Sequence, residues 1–377
     1  MRRLSLGHVG AVAITVLLTG CAGTPGPATT PSDSPTVSQT AAPTTVAPVT
    51  PPLAADLTGG TPLQLGSASH WAIADGRAFV ATQEVVALDL ATGQTVWRAG
   101  FTQGEPWDAQ PTVGLTADRR TVVALRTVDA GDRTALDLLL LDAATGATIA
   151  EHLVTDPAGA WTIDLPPRVL AADAATIVLD DNPESGRQTA VVDAATGALL
   201  WQVDDEAVAA TADLVITRNA GWSRSDGARR WQAAAPLGRL LAQTPTAVVV
   251  QNGVDGRTAV WLDPATGAEL ARTGEVGETE PPCAASATTL VCLDAGVTGY
   301  DLATGEQRWR SPEAAQWVTT LDEWAYLYRD PGHDGVLDAR TGEVLAADAE
   351  LPDIRFADEH GVLLGGDDGY TWAPFPR

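Results

Sequence analysis

The chain has 377 residues, is 45% hydrophobic and carries a formal net charge of −25; all 23 of its basic residues are arginine. An acidic balance this strong excludes the clustered cations that grip nucleic-acid phosphates, and gives the body no attraction to an anionic membrane surface. No Gly-x-Ser-x-Gly, His-Glu-x-x-His, phosphate-loop lysine or Gly-rich nucleotide fingerprint occurs, so the common hydrolase, zinc-protease and nucleotide chemistries have no signature here.

Residues 1–20 read as an export signal. Arg2 and Arg3 form a charged start, and Leu4–Leu18 is a mostly apolar stretch too short for a comfortable membrane span. The stretch ends Leu18-Thr19-Gly20-Cys21, which resembles a bacterial lipobox; the resemblance implies lipidation of Cys21. An ordinary cleaved signal containing a cysteine is the alternative. Buried acyl methylenes contribute ~0.8 kcal/mol each, so more than one chain gives stable attachment. Residues 21–55 are almost entirely Ala, Gly, Thr, Pro, Ser and Val, the composition of a disordered tether. At ~3.1 Å per residue in extended Pro-rich conformations its reach is on the order of 100 Å. The implied location is the extracytoplasmic face of the cell membrane.

From 56 to 377 one phrase recurs: an alternating strand, an Asp, a Thr-Gly corner, then a short strand. The clear copies are Asp89–Gly93, Asp142–Gly146, Asp193–Gly197, Asp263–Gly267, Asp301–Gly305 and Asp338–Gly342; Ser223–Gly227 is a degenerate copy and Asp56–Gly59 a shortened one. Asp caps such a corner with its carboxylate, and Gly takes the left-handed conformation the turn needs. Successive corner glycines lie 34, 53, 51, 30, 40, 38 and 37 residues apart. Units of about forty residues with four short strands are propeller blades. The second strand of each unit is a continuous apolar run, such as Val122–Leu125 or Val248–Val250, as a strand buried on both faces requires. The two longest intervals carry extra polar loops at 129–133 and 180–187.

The ends set the count. After Gly342 the chain supplies three strand runs and no fourth, while Asp56–Leu65 supplies a corner and a fourth strand with no first three. Thr61–Leu65 therefore completes the last blade, and the ring closes as an all-β, eight-bladed propeller of four-stranded antiparallel blades. Seven blades with a C-terminal tail is the runner-up, because Pro62 fits a strand only at an edge.

These repeats resemble the pyrroloquinoline quinone (PQQ) repeat, the Trp-docking propeller family that includes quinoprotein dehydrogenases and the BamB lipoproteins. In that family the residue four past the corner Gly is a Trp that docks between blades. Trp97, Trp201, Trp231 and Trp309 hold that position here, whereas Leu63, Ala150, Ala271 and Ala346 hold it in the other units. The resemblance also raises PQQ and calcium as cofactors. Both are disfavoured: the adjacent-cysteine pair that backs the quinone in the dehydrogenases is missing, and the chain lacks the long insertions that roof such sites. Asp180–Glu184, Asp330–Asp334 and Asp367-Asp368 read as solvated turns rather than calcium ligands, and His70, His152, His333 and His360 are scattered.

Cys283 and Cys292 lie nine positions apart across an expected hairpin, a spacing that permits a disulfide in an exported chain. Two buried thiols are the alternative. The functional expectation is a lipid-anchored, non-enzymatic scaffold that binds a protein or a cell-envelope glycan. A PQQ- and calcium-dependent dehydrogenase and a small-molecule sensor are the alternatives.

Overall fold

Each sequence unit folds into one antiparallel sheet in the computed structural model, which describes residues 60–63, 71–103, 105–106, 111–130, 134–155, 166–180, 188–276, 282–329, 334–349, 351, 353–358, 361–366 and 369–374. Cys21, the signal, the tether, His70, His333 and His360 lie outside the described residues. The first blade comprises Trp71–Ala74, Arg77–Ala81, Glu84–Asp89 and Thr95–Gly100, joined in sequence order. Six more blades follow the same order. The eighth comprises Ile354–Asp358, Gly361–Gly366 and Gly369–Pro374, and its fourth strand is Thr61–Leu63, paired Thr61 to Trp372 and Leu63 to Tyr370. Eight blades, not seven, make the ring. Pro62 sits in the outermost strand of its blade, where its missing N–H leaves no ladder bond unmade.

The first strands of successive blades touch one another around the axis, from Trp71–Ala74 through Trp317–Leu321 to Ile354–Asp358. At the closing joint Trp71 meets Phe356 edge-on at 5.8 Å and Tyr370 at 6.4 Å. Among the described residues there is no helix.

Strand alternation divides the core. Along Arg77–Ala81, Ala78 and Val80 face the eighth blade while Phe79 and Ala81 face the second. Along Thr121–Asp129, Val122 and Ala124 face the first blade while Val123 and Leu125 face the third. The result is eight separate apolar clusters, one per blade joint. A strand buried on both faces reads as an unbroken apolar run because its alternate residues fill two different cores.

The second blade departs from the pattern. Its second and third strands, Thr121–Asp129 and Thr134–Asp142, run nine residues each, and its outer strand Thr148–Thr155 runs eight. Elsewhere the second and third strands span four to six residues. A two-residue strand, Glu105–Pro106, pairs with the overhanging end at Val128 and Asp129.

Candidate functional site

The corner is a local consequence of its residues. Asp142 Oδ1 accepts from Thr145 N at 2.8 Å, Thr145 Oγ1 at 2.7 Å and Ala144 N at 3.1 Å. Those hydrogen bonds, led by the Thr145 hydroxyl, hold the Asp142 carboxyl below its ordinary range. Gly146, at φ 72°, then donates its N–H to Asp142 O at 2.8 Å. Just past each described corner the pairing of third and fourth strands skips one residue, three positions beyond the Gly: Val96, Ile149, Leu200, Arg230, Leu270, Arg308 and Leu345 are all bypassed in this way. A bulge re-aims the side chain that follows it. It leaves Val96, Leu200, Leu270 and Leu345 exposed and turns the next residue toward the neighbouring blade.

That next residue is the docking position. Trp97 lies against Gly146, Trp201 against Gly227, Trp231 against Gly267 and Trp309 against Gly342; a Cβ on any of these glycines would come within 2.7 Å of the indole. Each indole N–H donates to the carbonyl three residues before that Gly: Ala143 at 3.2 Å, Arg224 at 3.0 Å, Pro264 at 2.9 Å and Ala339 at 2.8 Å. A fifth indole makes the same contact from a different strand. Trp261, fully buried, donates to Leu302 O at 3.0 Å and packs against Gly305, although the outer strand offers only Ala271 there. Trp261 and Ala271 are directly opposed partners. Where the outer strand carries Trp, its partner is small: Ala87, Val191, Gly221 or Gly299. The pair thus holds one indole, on either strand. At the remaining described joints the work is shared differently. His152 packs on Gly197, and Thr61 Oγ1 donates to Ala91 O at 2.8 Å beside Gly93.

Cys283 and Cys292 are directly opposed on the first two strands of the sixth blade, Cα atoms 4.1 Å apart, and the pair is joined as a disulfide. Both side chains are buried in the joint with the fifth blade.

The two faces of the ring differ. Corners and first-to-second-strand turns share one face; blade-to-blade links and second-to-third-strand turns share the other. On this link face the second, third and fourth blades concentrate buried charge. Asp137, fully buried, accepts from Arg126 Nε at 3.0 Å and Nη2 at 2.8 Å, and Arg126 lies over the Phe101 ring at 4.6 Å. Asp180, also fully buried, pairs with Arg168 and accepts from Ala207 N of the next blade at 3.1 Å. Burial, outweighing their arginine partners, lifts both carboxyls to about 6. Asp205 accepts from Thr217 Oγ1 at 2.6 Å and from Asn219 Nδ2 at 2.9 Å and N at 3.1 Å. Exposed Asp204 and half-buried Glu206 lie beside it, bonded to Gln188 and Arg218. The second and third blades of this acid-rich arc occupy the two longest repeat intervals, and the fourth occupies the shortest. Asp180 therefore serves as a blade tie; the rest of the run to Glu184, like 330–333 and Asp367-Asp368, lies outside the described residues. Neither Arg126, Asp137 nor Asp205 stood out in the sequence; the one signal was Asp137 interrupting the apolar run Ala135–Leu141.

The fold is shared with proteins of very different sequence. BamB from Moraxella catarrhalis is similar at 15% identity and a TM-score of 0.54, over 82% of this chain and 95% of that one. The computationally designed Ika8 protein is similar at 16% identity and a TM-score of 0.53, over 84% and 99%. The C-terminal WD40 domain of Sif2 is similar at 9% and 0.53, over 81% and 94%. No family profile and no curated protein sequence matches the chain.

Proposed function

We propose that this eight-bladed β-propeller is a binding scaffold, and that its working surface is the link face of the second to fourth blades. The observation that carries this reading is asymmetry. Seven blades keep second and third strands of four to six residues, while the second blade projects beyond them and the second, third and fourth gather the buried charge on that side. A rigid ring with one elaborated arc is a scaffold presenting one surface. The acid-rich arc favours a partner surface carrying arginine or lysine.

Two further parts of the reading rest on sequence. Membership of the PQQ-like repeat family is supported by the corner phrase together with the five docked indoles. Lipid anchoring at Cys21 on the extracytoplasmic side is supported by the lipobox resemblance. No catalytic role is proposed, and addition of PQQ with calcium is expected to leave absorbance and melting temperature unchanged.

Site-specific photo-cross-linkers test the surface. Placed at Asp204, on the elaborated arc, a cross-linker is expected to capture a discrete protein adduct on intact cells; placed at exposed Glu306, on a corner of the sixth blade, it is not. Equal capture from both positions, or from Glu306 alone, overturns the assignment.

A further inference from the structure

The link between the first and second blades is held down by three ionisable side chains in one row. Arg126, Asp137 and Glu151 come from the second, third and fourth strands of the second blade. Register sets Arg126 opposite Asp137, and Glu151 one step along, opposite Leu139. Strand alternation turns all three toward the first-blade side, where Val122, Ala124, Leu139 and Leu141 also point. Glu151 accepts from Thr102 N, from Thr102 Oγ1 and, at 3.1 Å, from Gln103 N. Arg126 donates to Gln103 O at 2.6 Å and sits over Phe101. Phe101–Gln103 is thereby strapped across the overhanging end of the blade.

One oxygen in this cluster has no bond. Asp137 Oδ2 takes both Arg126 contacts, but Oδ1, fully buried, accepts from nothing. Its charged neighbours are Arg126 and Glu151. A buried carboxylate oxygen without a donor is costly to leave unmade. A proton on Oδ1 removes the cost, because the acid then donates toward the Glu151 carboxylate. Only one charge then remains on the two carboxyls, and it balances Arg126.

We propose that Asp137 and Glu151 share one proton, and that this proton fastens the Phe101–Gln103 strap, which loosens when the proton is lost. The direction of each group agrees. Burial, with Glu151 adding to it, raises Asp137 to about 6 against the pull of Arg126. For Glu151 burial acts upward, but hydrogen bonds from Thr102 and Gln103 outweigh it and hold the group ionised. The strapped state therefore binds the extra proton, and the strap weakens as pH rises from the exposed-carboxyl value toward 6. With an exposed value near 4, Asp137 alone raises the opening equilibrium about twentyfold between pH 4.5 and 7; the lowered Glu151 acts in the opposite sense near pH 4.5, so the net rise is smaller than that.

Amide hydrogen exchange on the full chain, corrected for intrinsic rates, reads this directly. Protection of the Thr102 and Gln103 amides is expected to fall severalfold, and at most about twentyfold, from pH 4.5 to 7, while the core amide of Leu139 does not follow. Asp137→Asn, which keeps a donor facing Glu151, is expected to hold the strap closed with less than about a twofold change over the same range. Glu151→Gln removes the like charge and replaces one of the strap's two acceptor oxygens with a donor; protection is expected to drop at both pH values with a smaller ratio between them. Three results overturn the proposal: pH-independent protection of the strap in the unaltered chain, equal movement of Leu139, or an unchanged ratio in either variant that folds.

Discussion

The exchange of Trp261 and Ala271 offers a direct test of how the blades are joined. Trp261 is fully buried, and its indole N–H donates to Leu302 O across the joint between the fifth and sixth blades. Truncating it to Ala removes on the order of 150–200 Å² of apolar contact, or about 4–5 kcal/mol at 25 cal/mol per Å², within reach of the 3–5 kcal/mol usual for such truncations. The lost hydrogen bond adds about 1 kcal/mol, and partial collapse of the cavity gives some back. Ala271→Trp alone forces a second indole against the first and costs about 1–3 kcal/mol. In the double variant, Trp stands on the outer strand with Ala opposite, the arrangement that Trp97 and Ala87 already use. The two changes should then offset each other, with at least about 2 kcal/mol of favourable coupling. Urea unfolding of the four chains supplies the cycle. Strictly additive losses would refute the idea that one indole per strand pair is what the joint requires.

Gly76 and Gly146 share nearly the same φ, 73° and 72°, yet a Cβ at Gly76 meets nothing within 4 Å while one at Gly146 lies 2.6 Å from the Trp97 ring. Gly76→Ala is expected to cost about 1 kcal/mol for the left-handed conformation alone, and Gly146→Ala at least about 1–2 kcal/mol more; equal shifts in thermal melts would argue that the indole contact carries no energy. Asp180 titrates higher in the folded chain, at about 6, than in the unfolded chain, so its contribution is full below the unfolded value near 4 and is lost as pH rises through 6. Stability measured from pH 4.5 to 7 should therefore decline more steeply in the unaltered chain than in Asp180→Asn, by up to about 2 kcal/mol over the window; parallel profiles would contradict the assignment. Replacing Cys283 and Cys292 by Ala frees a loop of roughly ten residues, and the chain-entropy relation puts the loss at about 3 kcal/mol. A midpoint in urea that is identical with and without reductant would show that the bridge does not stabilise the fold.

Much of the ring was legible because its turn chemistry repeats. An Asp that caps and a Gly that turns left can be recognised without any knowledge of partners, and six of them with two weaker copies, a lone fourth strand at the front and three strands lacking a fourth at the back, imply closure. Pro62 looked awkward only until its strand proved to be an outer edge. Trp261 escaped notice because the docking position was tracked along one strand, whereas packing is satisfied by either member of a strand pair. The complementary sizes across that pair, Ala87 with Trp97 and Trp261 with Ala271, carry the missing rule. The charged row of the second blade escaped for a different reason. Arg126, Asp137 and Glu151 are far apart along the chain and meet only through register, which depends on strand lengths that composition does not reveal. The exposed Val96, Leu200 and Leu270 likewise break the expected inside–outside alternation because a bulge shifts the count by one.

The pairing of Thr61 with Trp372 also imposes a timetable. During synthesis Thr61–Leu63 leaves the ribosome before any complete blade, yet its partner strand emerges only after the other seven blades. Seven blades can stack as each is made, since their strands are neighbours in sequence. The eighth waits, and until it forms the nascent arc has two unsealed ends. Late, non-local pairing of this kind is slow relative to local hairpins. Closing the ring is therefore the meeting of Thr61–Leu63 with Gly369–Pro374, and any chain that stalls short of Tyr370 remains an open arc.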